Sequence, residues 1–158
     1  MFDFGDLPDP GVLADQVVAL HLSRISPAIP DRGWVPAYHF AIMQADSDEA
    51  IGELRLRVGS SDLLCLFAGH IGYSISEPHR GNRYACHALN VVAPFAWSLG
   101  IDPIWITCNP ENLASRRTCE LAGAEFVETI RLPVDTDMYA RGERFKCRYR
   151  LGSKEDAP

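Results

Sequence analysis

From Ala85 onward the apolar residues fall at Ala85, Ala88, Leu89, Val92, Phe95, Ala96 and Leu99, and the pattern closes at Gly100. This spacing follows the roughly 3.6-residue period of a helix with one buried face, and glycine is a common residue just past a helix end. Pro94 lies inside the stripe and predicts a kink or an early end there. The flanking segments do not share the period. Leu63 to Ile75 holds one or two strands and ends in Gly69-His70-Ile71-Gly72-Tyr73-Ser74-Ile75, while Ile104 to Cys108 reads as another strand. A helix between two strands is a crossover that must cover a sheet face, which points to a layered α/β or α+β domain.

The rest of the chain fits that frame. Val12 to Ile25 carries Val12, Leu13, Val17, Val18, Leu20, Leu22 and Ile25 mostly at helical spacing, so a helix is predicted, ended by Pro27, Pro30 and Gly33. Tyr38 to Met43 is a short strand. Ile51 to Val58 alternates apolar residues with Glu53, Arg55 and Arg57, a strand with one wet face. Asn112 is placed to cap a second helix from Leu113 to Ala122, with Gly123 at its stop. Phe126 to Leu132 and Phe145 to Leu151 are two last strands joined by a polar loop around Asp135-Thr136-Asp137. At 158 residues one domain is expected, spanning 1–152, with a loose arm at 1–10 and a short tail at 153–158.

The net charge of −6 argues against nucleic acid or an anionic membrane as partner. The charge is uneven: residues 1–79 hold 11 acids and 4 bases, whereas residues 80–150 hold 8 acids and 10 bases. Five cysteines with no C-x-x-C and no zinc spacing read as reduced thiols, and no metal site is expected. The start Met1-Phe2-Asp3-Phe4-Gly5-Asp6 lacks the basic and apolar regions of a signal peptide, and no apolar stretch approaches the ~20 residues that span a bilayer. A soluble cytoplasmic protein is the expectation.

Between the strand ending near Ile75 and the striped helix lies Pro78-His79-Arg80-Gly81-Asn82-Arg83-Tyr84-Ala85. The first N–H groups of a helix have no internal partner, and the helix dipole adds about half a positive charge. Gly81 lets a ligand approach the main chain, and Arg80 and Arg83 add fixed charge. This is the composition of a phosphate or pyrophosphate cradle.

The stretch G-H-I-G-Y-S-I-S-E-P-H-R-G-N-R-Y-A from Gly69 to Ala85 resembles the coenzyme A loop of the GNAT superfamily of N-acetyltransferases, whose pattern is (Arg/Gln)-x-x-Gly-x-(Gly/Ala) after a strand. A second segment, Cys108-Asn109-Pro110-Glu111-Asn112-x-x-Ser115 followed by Glu120-Leu121-Ala122-Gly123-Ala124, is similar to the family's N-x-x-(A/S) … E-K-x-G-F segment, in the style of the branch that acetylates ribosomal-protein N-termini. The resemblance covers residues 50–130. It implies a mixed, mostly antiparallel sheet splayed in the middle and flanked by helices on both faces. It implies acetyl-CoA as co-substrate, with its pantetheine arm along Tyr73, Ser74 and Ile75, its pyrophosphate on the backbone N–H groups of Gly81, Asn82, Arg83, Tyr84 and Ala85, and Arg80 at the first motif position of the binding loop. Asn112 and Ser115 would then lie near the pantetheine and the leaving thiol. The implied activity is acetyl transfer to a primary amine of a small molecule or peptide, and dimers are common among similar proteins. A GNAT-fold binding or regulatory module without turnover, or a different acyl donor, is the alternative.

Two positions depart from the pattern. Arg83 stands where the motif has its middle glycine and would be strained if that position needs a positive φ. Cys119 stands where many members carry a tyrosine as general acid. The base candidates are His70, whose ordinary pKa near 6.5 suits the task, and Glu53. The acid candidates are Ser115 and Cys119. Tyr73 and Tyr84 are expected to pack rather than react.

Overall fold

The computed structural model describes residues 7–153 of the chain; residues 1–6 of the expected arm and 154–158 of the tail lie outside that range. Eight strands are described, in two antiparallel sheets. Strands β1 (Leu13–Ala14), β2 (Val18–Ser26), β3 (Ala37–Gln44), β4 (Ala50–Arg57) and β5 (Ile71–Ile75) form one sheet in that order. Helix α1 (Tyr84–Ser98) then leads to β6 (Ile104–Cys108), α2 (Leu113–Leu121), β7 (Glu125–Arg131), the short α3 (Asp137–Ala140) and β8 (Phe145–Leu151), and the second sheet has the order β6-β8-β7. Among the described residues no helix is long and apolar enough to cross a membrane.

The two sheets share one core. Tyr38, Phe40, Ile42, Leu54 and Leu56 of the first sheet and Ile104, Ile106, Tyr149 and Leu151 of the second are buried with Ala88, Leu89, Val92 and Ala96 of α1. α1 and α2 cover this inner side. On the other side of the second sheet a π-helical segment, Leu63–Ala68, packs on β6 and β8. There Thr107 Oγ1 donates to the Phe67 carbonyl, and Arg148 reaches the Cys65 carbonyl.

The predicted helix over Val12–Ile25 is instead β1, a tight turn and β2. Asp15 makes the turn: its carboxylate accepts from the N–H groups of Val17 and Val18, both at 2.7 Å, while its own N–H donates to the Val18 carbonyl. An Asx turn of this kind competes with helix formation. Val18 and Leu20 are then buried at a spacing of two, which the apolar pattern fits as well as it fits a helix. Half of the predicted strand region Leu63–Ile75 is likewise the π-helical segment, started by Ser61 Oγ accepting from the Leu64 N–H.

Pro94 neither ends nor interrupts α1. Both it and Asn90, whose carbonyl loses its helical donor, lie on the exposed side of the helix, so water can meet that carbonyl. The other expected elements appear within a residue or so of their predicted bounds.

Candidate active site

β5 and β6 flank the junction between the sheets, and no ladder joins them. They meet only at their beginnings. The His70 N–H donates to the Trp105 carbonyl at 2.7 Å, and the Trp105 N–H donates to His70 Nδ1 at 2.9 Å. Gly69, at φ 77°, allows this approach: a Cβ there would stand 3.1 Å from both the Thr107 nitrogen and the Trp105 oxygen. Beyond this apex the strands separate.

The edge of β5 that faces the gap follows from its register. The Ser76 N–H donates to the Ile51 carbonyl, and the Arg57 N–H to the His70 carbonyl. Hydrogen-bonded pairs alternate along an antiparallel ladder, so Ser74 and Gly72 also bond across to β4. Ile71, Tyr73 and Ile75 therefore turn their backbone N–H and C=O groups toward β6. Of the three residues expected to hold the pantetheine arm, Tyr73 offers both main-chain groups and Ile75 its N–H, while those of Ser74 bond to β4. Arg80 donates from Nε to the Ile75 carbonyl at 2.8 Å and so ties the loop to the strand end.

The loop between β5 and α1 presents a row of donors. None of the N–H groups from Gly81 to Cys86 donates to another described residue. Gly81 has φ 88°, and Arg83, at the N-cap of α1, has φ 63°. Arg83 is the one non-glycine residue with positive φ among those described. The motif glycine's conformation is thus kept by a residue that pays for it, at about 1 kcal/mol or more. Successive N–H groups at a helix start, closed by an αL residue, form an anion-binding concavity. The side chains around it are held back from it. Asn82 Nδ2 donates to the His79 carbonyl, and the Tyr84 hydroxyl accepts from Gln44 Nε2 at 2.7 Å.

The inner wall of the gap is a cluster that the sequence did not reveal. The Tyr73 side chain crosses from β5 to α2, with its hydroxyl 3.0 Å from Ser115 Oγ and 3.8 Å from Cys119 Sγ. Asn112 Oδ1 accepts from the Ser115 N–H at 3.1 Å, so it acts here as the helix cap. Burial pushes the Cys119 thiol up to about 12 and holds the Tyr73 phenol well above its ordinary value. Both groups stay protonated at neutral pH and so keep a proton to donate. Cys119 has no exposed surface and sits behind Tyr73. A phenol thus reaches Cys119, the position where the resemblance leads one to expect a tyrosine, but it comes from the opposite side of the gap. Nearby, at the end of β6, Asn109 Oδ1 is buried without a described partner.

The expected bases fare differently. His70 is 3% exposed, and its second ring nitrogen, Nε2, lies 3.0 Å from the Gly59 carbonyl. With Nδ1 accepting and Nε2 donating, the ring is a neutral tie between segments, and burial lowers its pKa. No nitrogen is left for a substrate, which corrects the expectation of a base there. Glu53 is exposed on the outer face of the first sheet, where it lines a cleft of about 400 Å³ with Arg24, His39, Arg55, Gly72 and Ser74.

The geometry agrees with a family comparison. Residues 13–125 match the family model described as an acetyltransferase (GNAT) domain. The chain belongs to the GNAT acetyltransferase family. No curated protein sequence is close enough to count as a match. Among solved structures, a putative ribosomal-protein-serine acetyltransferase from Vibrio cholerae has a TM-score of 0.63 at 17% identity, covering 92% of this chain and 100% of that one. RimL, a ribosomal L7/L12 alpha-N-protein acetyltransferase in complex with coenzyme A, has a TM-score of 0.66 at 12% identity, covering 92% and 99%. A GNAT-family acetyltransferase from Bacillus anthracis has a TM-score of 0.58 at 16% identity, and this chain covers 65% of its length. At these identities the likeness is one of fold.

Proposed function

We propose that this chain transfers an acetyl group from acetyl-CoA directly to a primary amine of a peptide or small molecule. The observation that carries the reading is the run of free N–H groups from Gly81 to Cys86, beside a β5 edge with open backbone groups. These residues fit the co-substrate: an anion meets the donors at the start of α1, and an amide-bearing arm meets Tyr73 and Ile75. When bound, acetyl-CoA supplies a thioester whose C–S bond breaks as the C–N bond forms, with the amine giving up a proton and the sulfur taking one.

The chain's own residues serve the ends of that exchange. Ser115 and Tyr73 share one hydrogen bond on the inner wall, which leaves one hydroxyl proton of the pair to donate toward developing negative charge. Cys119 supports Tyr73 from behind. Glu53, exposed on the outer face, is the described carboxylate nearest β5 in register, opposite Ser74, and receives the amine proton directly or through water. The five cysteines are free, and we place the chain in the reducing cytoplasm. The Vibrio cholerae and L7/L12 relatives are named for protein acceptors, and a peptide amine is our reading here.

Calorimetric titration with CoA tests the donor half. Saturable binding supports the reading, and no binding at millimolar ligand would sink it. The module without turnover shares the cradle and is favoured by the loss of His70 as a base. Thiol release from acetyl-CoA with a panel of amines separates the two, since steady CoA binding without release on any amine would favour the module.

A further inference from the structure

The outer face of the first sheet carries a row of bases in register. Arg24 on β2 lies directly opposite His39 on β3, His39 opposite Arg55 on β4, and Arg55 opposite Gly72 on β5. Residues directly opposite in an antiparallel pair stand about 5 Å apart at Cα, and like charges placed so are destabilising. Glu53, in the same cleft, offsets this row only in part. Arg24 and Arg55 make no ion pair and no hydrogen bond with another described residue, and both are exposed. His39 Nε2 is engaged by Ser26 Oγ at 2.8 Å. Its pKa is lowered by burial and then by Arg24, Arg55 and Arg57, while Glu53 acts the other way. Glu53 is the one carboxylate lining the cleft.

The row also has a place relative to the gap. Gly72 precedes Tyr73, so the row ends about one residue's rise, roughly 3.3 Å, from the residue whose hydroxyl forms the inner wall. The α1 cradle lies past Ile75 on the other side of that wall. The arginines are therefore not part of the cradle, although they open onto the same strand.

We infer that Arg24 and Arg55 form an anion subsite for the acceptor, and that the preferred acceptor is a peptide with acidic residues directly after its amino-terminal residue. The two arginines sit two strands apart, about 10 Å at Cα. That span suits two separate carboxylates better than one compact phosphate. The inference rests on the acetyltransferase reading for the location of the amine, but not for the existence of the subsite.

Two amidated peptides, Ser-Glu-Glu-Ala and Ser-Gln-Gln-Ala, test it by calorimetry on the protein with and without CoA. The acidic peptide is expected to bind about tenfold tighter, and the gap should narrow as salt is raised. The double variant Arg24→Gln/Arg55→Gln should lose that preference while its CoA affinity stays the same. Equal affinity for the two peptides, no binding of the acidic one at millimolar concentration, or a preference that survives the double variant would each overturn the subsite. A protein that prefers the acidic peptide yet fails to bind CoA would keep the subsite and remove the acetyltransferase reading.

Discussion

The two sides of β5 are built from different materials. Toward α1 and β6 the chain offers main chain: the edge groups of Tyr73 and Ile75 and the N–H groups from Gly81 to Cys86. Toward the outer face it offers side chains, Arg24, His39, Arg55 and Glu53, held in strand register. A surface made of backbone tolerates many sequences, provided the turn and the helix start survive. A surface made of side chains does not. The fold itself is shared with solved structures at 12–17% identity.

The apex should give the largest effect. His70→Leu strands the Trp105 N–H and the Gly59 carbonyl in a buried site and should cost about 2–4 kcal/mol, read as a lowered midpoint in urea. A loss under about 0.5 kcal/mol would mean that the apex does not hold the two sheets together. On the inner wall, Tyr73→Phe should lower kcat by about 10- to 100-fold with little change in CoA affinity. Ser115→Ala should not add fully to it, because the two hydroxyls share one hydrogen bond.

On the backbone side, a side-chain change should do little harm. Arg83→Gly removes a positive-φ penalty and should raise the thermal midpoint by about 2–4 °C, for about 1 kcal/mol in a chain of this size. CoA affinity in that variant should stay within about threefold. A larger drop would make the Arg83 side chain a phosphate contact and blur the contrast between the two sides.

The smallest effect is that of pH. His70 and His39 both have lowered pKa values in the fold, chiefly through burial. As pH falls through the ordinary imidazole value of about 6.5, the unfolded chain takes up protons that the native one refuses. Stability is then full above that value and is lost below it. The thermal midpoint should fall between about pH 7 and pH 5.5, and a flat or rising profile would contradict the buried neutral ring.

Much of the donor side was legible because it rests on local rules. The stripe from Ala85 to Leu99, the Asn112 cap and the expected strain at Arg83 each depend on a few neighbouring residues. The misreadings came where local rules tie. The apolar residues of Val17 to Ile25 satisfy either period, and Asp15 decides for a turn. The inner wall was hidden for another reason: Tyr73 and Ser115 lie 42 positions apart and meet only across the gap. The arginine row was hidden likewise, since one wet strand face does not disclose which bases its neighbours set opposite it.

On the proposed reading, the start of α1 and the edge of β5 together hold the donor. Amide chemical shifts of the full chain, followed during a CoA titration, test it most directly. Saturable shifts are expected at Gly81 to Cys86 and at Tyr73 and Ile75, with Arg24 and Arg55 unmoved. Shifts centred on the outer face, or none at millimolar CoA, would contradict it.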